Sequence, residues 1–221
     1  MKLPQSTEYI FYTLYSLEIV LSVAGNVVVL FVLTFGQKCR NEIRPYLINL
    51  AIGDLMMAVF CLPATVEYVV TVIWKLPAFM CPFILFLQNT SVAASVYTNV
   101  AISIDRLMAV KYPFSRRLRH HQIWALATVW IASVGFSAIE LWVSKVEIIN
   151  NGTYICREDW PDDTGEQSYT IACLLILILF PGILLLVLYS IISKHLWVST
   201  LPGSEEDPRN VTKLRARRKV F

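Results

Sequence analysis

Long apolar runs alternate with short polar breaks along the whole chain. Five runs reach the length of about 20 mostly apolar residues that a helix needs to cross the hydrocarbon core of a bilayer. They are Tyr9–Phe35, Pro45–Trp74, Ala78–Val110, Ile123–Val146 and Ser168–Trp197. Charged or turn-rich sequence separates them, including Gly36-Gln37-Lys38, Lys111-Tyr112-Pro113 and Asn151-Gly152. Stretches such as Ala172–Leu188 hold no charge, so a soluble bundle built from them would have nothing to face water. The pattern predicts an all-α membrane protein with five transmembrane helices over residues 1–198, followed by a polar, basic segment at 199–221. The first run is too long for a signal-peptide core of about 7–15 residues and is read as a retained helix. Pro63 and Pro181 fall inside runs and are expected to bend their helices.

Composition agrees with that pattern. Of 221 residues, 56% are hydrophobic and only 16% charged, against about 45–50% and roughly 25% in soluble domains. Mean hydropathy is +0.57. These values disfavour a cytosolic enzyme, a disordered tail and a nucleic-acid-binding module. The net charge of +3 conceals a strong asymmetry: all but Lys2, Lys75, Lys145 and Arg157 of the 19 basic residues fall in alternate connections on one side. Basic residues collect on the cytoplasmic side, which places the N-terminus outside and the C-terminus inside.

The outside connections are acidic, and the longest holds Asn151-Gly152-Thr153, a glycosylation acceptor at Asn151. Cys81 and Cys156 both lie on the oxidising side. Bridging them would close a 75-residue loop, worth about 4–5 kcal/mol in the chain-entropy model. Cys39, Cys61 and Cys173 read as unpaired packing residues.

Polar groups inside a membrane run are costly and ask for a reason. Asp54 sits mid-run in Asn49-Leu50-Ala51-Ile52-Gly53-Asp54, either as a buried, hydrogen-bonded carboxyl or as a cation and water site. In the third run, Gln88, Ser91, Ser95, Asn99 and Arg106 fall on one helical face. That stripe is expected to face other helices or trapped water. Single serines could instead bond back to their own helix. Glu18 and Glu140 lie near the outer boundary and are expected to snorkel to the interface.

Together these residues resemble the rhodopsin-like (class A) G-protein-coupled receptors. The features are Gly25-Asn26, Asn49-Leu50-Ala51 with Asp54, Trp74, Cys81 with Cys156, Asp105-Arg106-Leu107 followed by Pro113, Trp130, and Pro181 with Tyr189. The resemblance implies five helices of a seven-helix receptor bundle, with 199–221 as the third intracellular loop approaching a sixth helix. The chain then reads as a truncated receptor. Leu107 departs from the family's usual tyrosine, which bears on basal activity or coupling.

The resemblance also implies roles. Asp54, Ser95 and Asn26 would line a water and allosteric sodium pocket, with no other cofactor. Asp105, Arg106, Tyr189 and Pro113 would form the switch towards a heterotrimeric G protein. Gln88 stands where amine receptors carry an aspartate, which disfavours an amine ligand. The loop Cys156-Arg157-Glu158-Asp159-Trp160-Pro161 resembles neuropeptide receptors, most of all those for peptides ending in Arg-Phe-amide, with tachykinin and orexin receptors next. Gln88, Glu67, Glu158, Asp159 and Trp160 are the expected ligand contacts, the acids attracting a cationic peptide. A solvated acidic loop is the alternative for the loop residues. The expected partners are a peptide, a G protein and membrane lipids, with no nucleic acid, in a multi-pass plasma-membrane receptor. A non-signalling fragment that retains full-length receptor is the alternative. Enzyme or transporter chemistry is disfavoured because no metal-ligand spacing, phosphate-cradling glycine loop or catalytic carboxylate pair is present.

Overall fold

The computed structural model describes residues 4–36, 42–112, 120–149 and 152–199. Cys39, Pro113, Asn151 and the expected loop beyond residue 199 lie outside these. Helix α1 spans Gln5–Phe35. Helix α2 (Arg44–Met56), a π-helical segment (Met57–Cys61) and α3 (Leu62–Thr71) form one continuous rod. Helix α4 spans Met80–Lys111 and α5 His120–Ser137, with a short α6 at Glu140–Val143. Strands β1 (Ser144–Ile149) and β2 (Thr153–Glu158) follow. Helix α7 (Asp163–Cys173), a second π-helical segment (Leu174–Leu179) and α8 (Phe180–Ser199) complete the described chain. Five of the resulting rods are long and apolar enough to cross a membrane.

Helix α4 is the centre of the bundle, packing against α2, α5 and α8, while α1 lies against α2 and α3 and has no buried residue of its own. The close approach of α2 to α4 depends on Gly53, where a Cβ would come within 3.0 Å of the Ser95 hydroxyl oxygen. One buried amide joins three helices near this crossing. Asn49 on α2 donates to Thr98 Oγ1 on α4 (2.8 Å) and accepts from the Trp130 indole on α5 (2.6 Å). Away from water, both ends of a buried amide need partners, and here both have them.

Each π-helical segment ends just before a proline, Pro63 or Pro181. Proline lacks an N–H and its ring crowds the carbonyl four residues back. The widened turn gives that carbonyl room, so the distortion expected at these prolines takes the form of a π-bulge.

Run boundaries differ from the sequence expectation: α1, α5 and α7 begin three to five residues earlier, at Gln5, His120 and Asp163, and two runs end sooner. The second run was expected to continue to Trp74, but the helix stops at Thr71 because Val72 takes a left-handed conformation (φ 56°). Trp74 then turns back, its backbone N–H donating to Tyr154 O of β2 (2.7 Å). The fourth run was expected to reach Val146, yet the chain leaves the helix at Ser144 to begin an antiparallel hairpin. The register pairs Lys145 with Arg157 and Val146 with Cys156. The hairpin does not bring an extended sheet into the bundle, so the fold remains helical in the membrane.

Cys156 is bonded to Cys81 at the start of α4. The bridge sits in an apolar cluster with Cys61, Ala64, Trp74 and Ile84. Covalent and hydrophobic attachment therefore fix the hairpin over the same end of the bundle. Cys61 and Cys173 are free.

Candidate functional site

At the hairpin end, α3, the segment after it and the start of α4 enclose a cavity of 380 Å³. Glu67, Lys75, Tyr68, Trp74 and Met80 are among its lining residues. Glu67 pairs with Lys75 and accepts a hydrogen bond from the Tyr12 hydroxyl of α1 (3.1 Å). Its carboxylate holds the Lys75 ammonium above the usual lysine range. Gln88, Glu158, Asp159 and Trp160, the other expected ligand contacts, do not line this cavity.

Gln88 lies on α4, Glu158 ends β2, and Asp159 and Trp160 follow the hairpin. Gln88 is half-buried. The Trp160 indole donates to Glu158 Oε2 (2.7 Å) and its ring packs on Tyr169 with 5.2 Å between centroids. Trp160 approaches Gly165 so closely that a Cβ there would lie 3.2 Å from its ring and 2.8 Å from Asp162 Oδ1. Asp162 caps α7 by accepting from Gly165 N (2.9 Å), which turns the chain from the hairpin into the fifth span.

Much of the loop's charge is compensated within the loop. Asp159 pairs with Lys145, and Glu147 accepts from Arg157 (2.8 Å). The like charges of Lys145 and Arg157 face each other across the hairpin, so each takes a diagonal acid. The Lys145 hydrogen bond holds the Asp159 carboxyl below its ordinary value, and Asp159 raises the Lys145 ammonium in return.

Sequence reasoning misplaced Glu140. Its position near the end of an apolar run suggested snorkelling, but its residue surface is only 1% exposed. Asn89 Nδ2 (2.7 Å) and the Tyr169 hydroxyl (3.0 Å) donate to Oε1, while the Ser144 hydroxyl donates to Oε2 (2.7 Å). The Tyr169 ring also stacks on Phe136 with 6.0 Å between centroids. Ser144 is four residues on in the sequence, but Asn89 and Tyr169 come from remote helices, so no local spacing announced the full set. The hairpin itself had a readable signal, the Asn151-Gly152 pair between apolar-polar alternations, and Gly152 indeed has φ +76°.

Midway along the bundle, Asn26 of α1 neighbours Asp54, while its amide donates to Ser22 O of its own helix (3.0 Å). Asp54 is exposed among the described residues, while Ser95 faces Gly53 next to it. Asp54, Asn26 and Ser95 therefore gather at one level. The stripe on α4 is uneven: Ser91 is buried, but Asn99 is exposed and returns its amide to Ser95 O of its own helix (3.1 Å). Asn99 thus uses the local bond that was expected only of the serines. At the far end Asp105 is 3% exposed, Arg106 is half-buried, and Tyr189 of α8 is 51% exposed.

Residues 25–220 match the model of the 7 transmembrane receptor (rhodopsin family). The chain belongs to the rhodopsin family of seven-transmembrane receptors. It is therefore a multi-pass membrane protein, and its family is one of receptors rather than enzymes. Within this family it is 30% identical to the RYamide receptor of Drosophila melanogaster over 96% of the chain and 47% of the relative. It is 34% identical to neuropeptide FF receptor 2 of Mus musculus over 85% of the chain and 48% of the relative. With the pyroglutamylated RF-amide peptide receptor of Mus musculus it shares 29% identity over 91% of the chain and 48% of the relative. The chain thus spans about half the length of the curated relatives it matches.

Proposed function

We propose that this chain forms the ligand-recognising part of a plasma-membrane neuropeptide receptor, with its N-terminus outside and its basic connections facing a heterotrimeric G protein. The ligand is an extracellular peptide whose amidated C-terminus carries arginine beside an aromatic residue. The observation that carries this reading is the likeness, over nearly the whole chain, to relatives named as receptors for RYamide and RF-amide peptides.

Chemistry at the hairpin end supports it. Glu158 and Trp160 together offer a carboxylate and an aromatic face, which suit a guanidinium. Gln88 offers an amide that donates and accepts, suited to a peptide's terminal amide. Glu67 and Asp159 contribute charge around the opening, each already held by a lysine, so a ligand cation would compete with Lys75 or Lys145. Asp105, Arg106, Tyr189 and Pro113 form the switch that favours one of two bundle arrangements when ligand is bound. Asp54, Ser95 and Asn26 form a water or sodium site, and Asn151 carries a glycan.

The test is binding of a labelled Arg-Phe-amide peptide to membranes from cells expressing the chain, beside its free-acid counterpart. Saturable binding of the amide, weakened at least tenfold by Trp160→Ala, is expected. No saturable binding, or equal binding of the free acid, overturns the reading. For coupling in the intact receptor, Arg106→Ala is expected to remove G-protein nucleotide exchange while leaving peptide binding in place; unchanged G-protein activation would refute that role.

A further inference from the structure

Glu140 is a fully buried carboxylate whose three donors arrive from three directions: Asn89 from α4, Ser144 from the start of β1, and Tyr169 from α7. Asn89 also reaches Tyr169 directly (3.3 Å). Tyr169 in turn holds Trp160, and Trp160 holds Glu158. A single chain of contacts therefore runs from the residue beside Gln88, through Glu140 and Tyr169, to Trp160 and to Glu158 at the end of β2. The disulfide at Cys156 anchors β2 but lies upstream of Trp160. Past that bridge, the described contacts holding 158–162 include the pairing of Glu158 with Ser144 in the hairpin, the Asp159 backbone bond to Val143 O, the Lys145 pair, the α7 cap and the Tyr169 contact.

We infer that Glu140 is a positioning residue: it fixes the Tyr169 ring, and through it Trp160, relative to α4, so that the loop and Gln88 present one preorganised surface. This inference rests on the peptide-receptor reading for its purpose, but its geometry is independent of any ligand. Every described donor to Glu140 is neutral. Its task is to gather hydroxyl and amide hydrogens rather than to meet a cation.

That distinction gives the experiment. Glutamine keeps a carbonyl oxygen for Asn89 and Tyr169, while its amide donates to the Ser144 hydroxyl, which also accepts. Leucine keeps the approximate volume and removes every acceptor. The chain is reconstituted in lipid nanodiscs without ligand, and amide hydrogen exchange is followed across 158–170, with α1 as internal reference. Glu140→Leu is expected to speed exchange there about tenfold and Glu140→Gln less than threefold. Tyr169→Phe is expected to give an intermediate rise and to add nothing in the Glu140→Leu background. Equal acceleration by glutamine and leucine would mean that the negative charge is what matters and would overturn the inference. So would unchanged exchange in Glu140→Leu, additive effects in the double variant, or acceleration that spreads to α1 as a general loss of fold. Because no peptide is added, failure here leaves the binding test standing, and failure of binding leaves this result standing.

Discussion

Asp54 and Glu140 are both carboxylates on membrane-spanning helices, and they occupy opposite environments. Asp54 sits in the middle of its apolar run, yet it is exposed among the described residues, with Asn26 beside it. Glu140 sits near the end of its run, yet it is fully buried and receives three hydrogen bonds. Depth along an apolar run therefore does not set the environment of a polar group. What sets it is whether neighbouring elements bring donors to the same point. Buried carboxylates persist where such donors satisfy them.

The largest expected effect comes from cutting the covalent support of the Glu140 side. Cys81→Ser should lower stability by up to about 4–5 kcal/mol, the chain-entropy value for a loop of this size. Thermal melts in nanodiscs under non-reducing conditions would measure it, and a change under about 1 kcal/mol would show that packing alone holds the hairpin. Next comes the direct contrast between the two acids. Glu140→Leu strands three donors and should cost about 3 kcal/mol, at roughly 1 kcal/mol for each lost hydrogen bond. Asp54→Leu should cost less than about 1 kcal/mol, since Asp54 is exposed among the described residues and its loss strands no comparable set of donors. Equal costs would break the comparison.

Trp130→Phe sharpens it by removing one donor from a buried group of the same satisfied kind. A loss of about 1–2 kcal/mol is expected, because Asn49 keeps Thr98 but its oxygen loses the indole. The smallest effect belongs to the exposed Lys145–Asp159 pair. The carboxyl of Asp159 is held below its ordinary 3.8, so the pair contributes above that pH and is lost as pH falls through the lowered value. The ammonium of Lys145 is raised above 10.5, so the pair is also lost as pH climbs past that raised value. Nitrogen NMR of the Lys145 side chain should show the acid-side change, and Asp159→Asn should abolish it.

The five spans were legible because run length and charge spacing are local properties. The cysteine pair was legible because Cys81 opens the third run and Cys156 lies in the connection on the same outer side. The end of α3 was not legible, since Val72 and Trp74 are apolar enough to prolong the run and only the bond to Tyr154 turns the chain away. The hairpin was overlooked because Val146 and Ile148 extend the hydrophobic count, although their alternation with Lys145 and Glu147 has the period of a strand. Glu140 was least legible, because its environment exists only once α4, β1 and α7 have met. Among the proposed contacts, sequence placed Glu158 and Trp160 in one group but gave no hint that Glu67 lines a cavity that the others do not reach.

Asn49 has a consequence for how such a chain comes together in a bilayer. Its amide needs Thr98 from the span that follows and Trp130 from the span after that. Synthesis delivers those partners in order, so the second span enters lipid with an unmet polar group that neither an aliphatic neighbour nor a mis-rotated helix relieves. Only the arrangement in which all three helices share that point ends the deficit. In a solvent where oily surfaces distinguish poorly between partners, this one side chain acts as an assembly checkpoint.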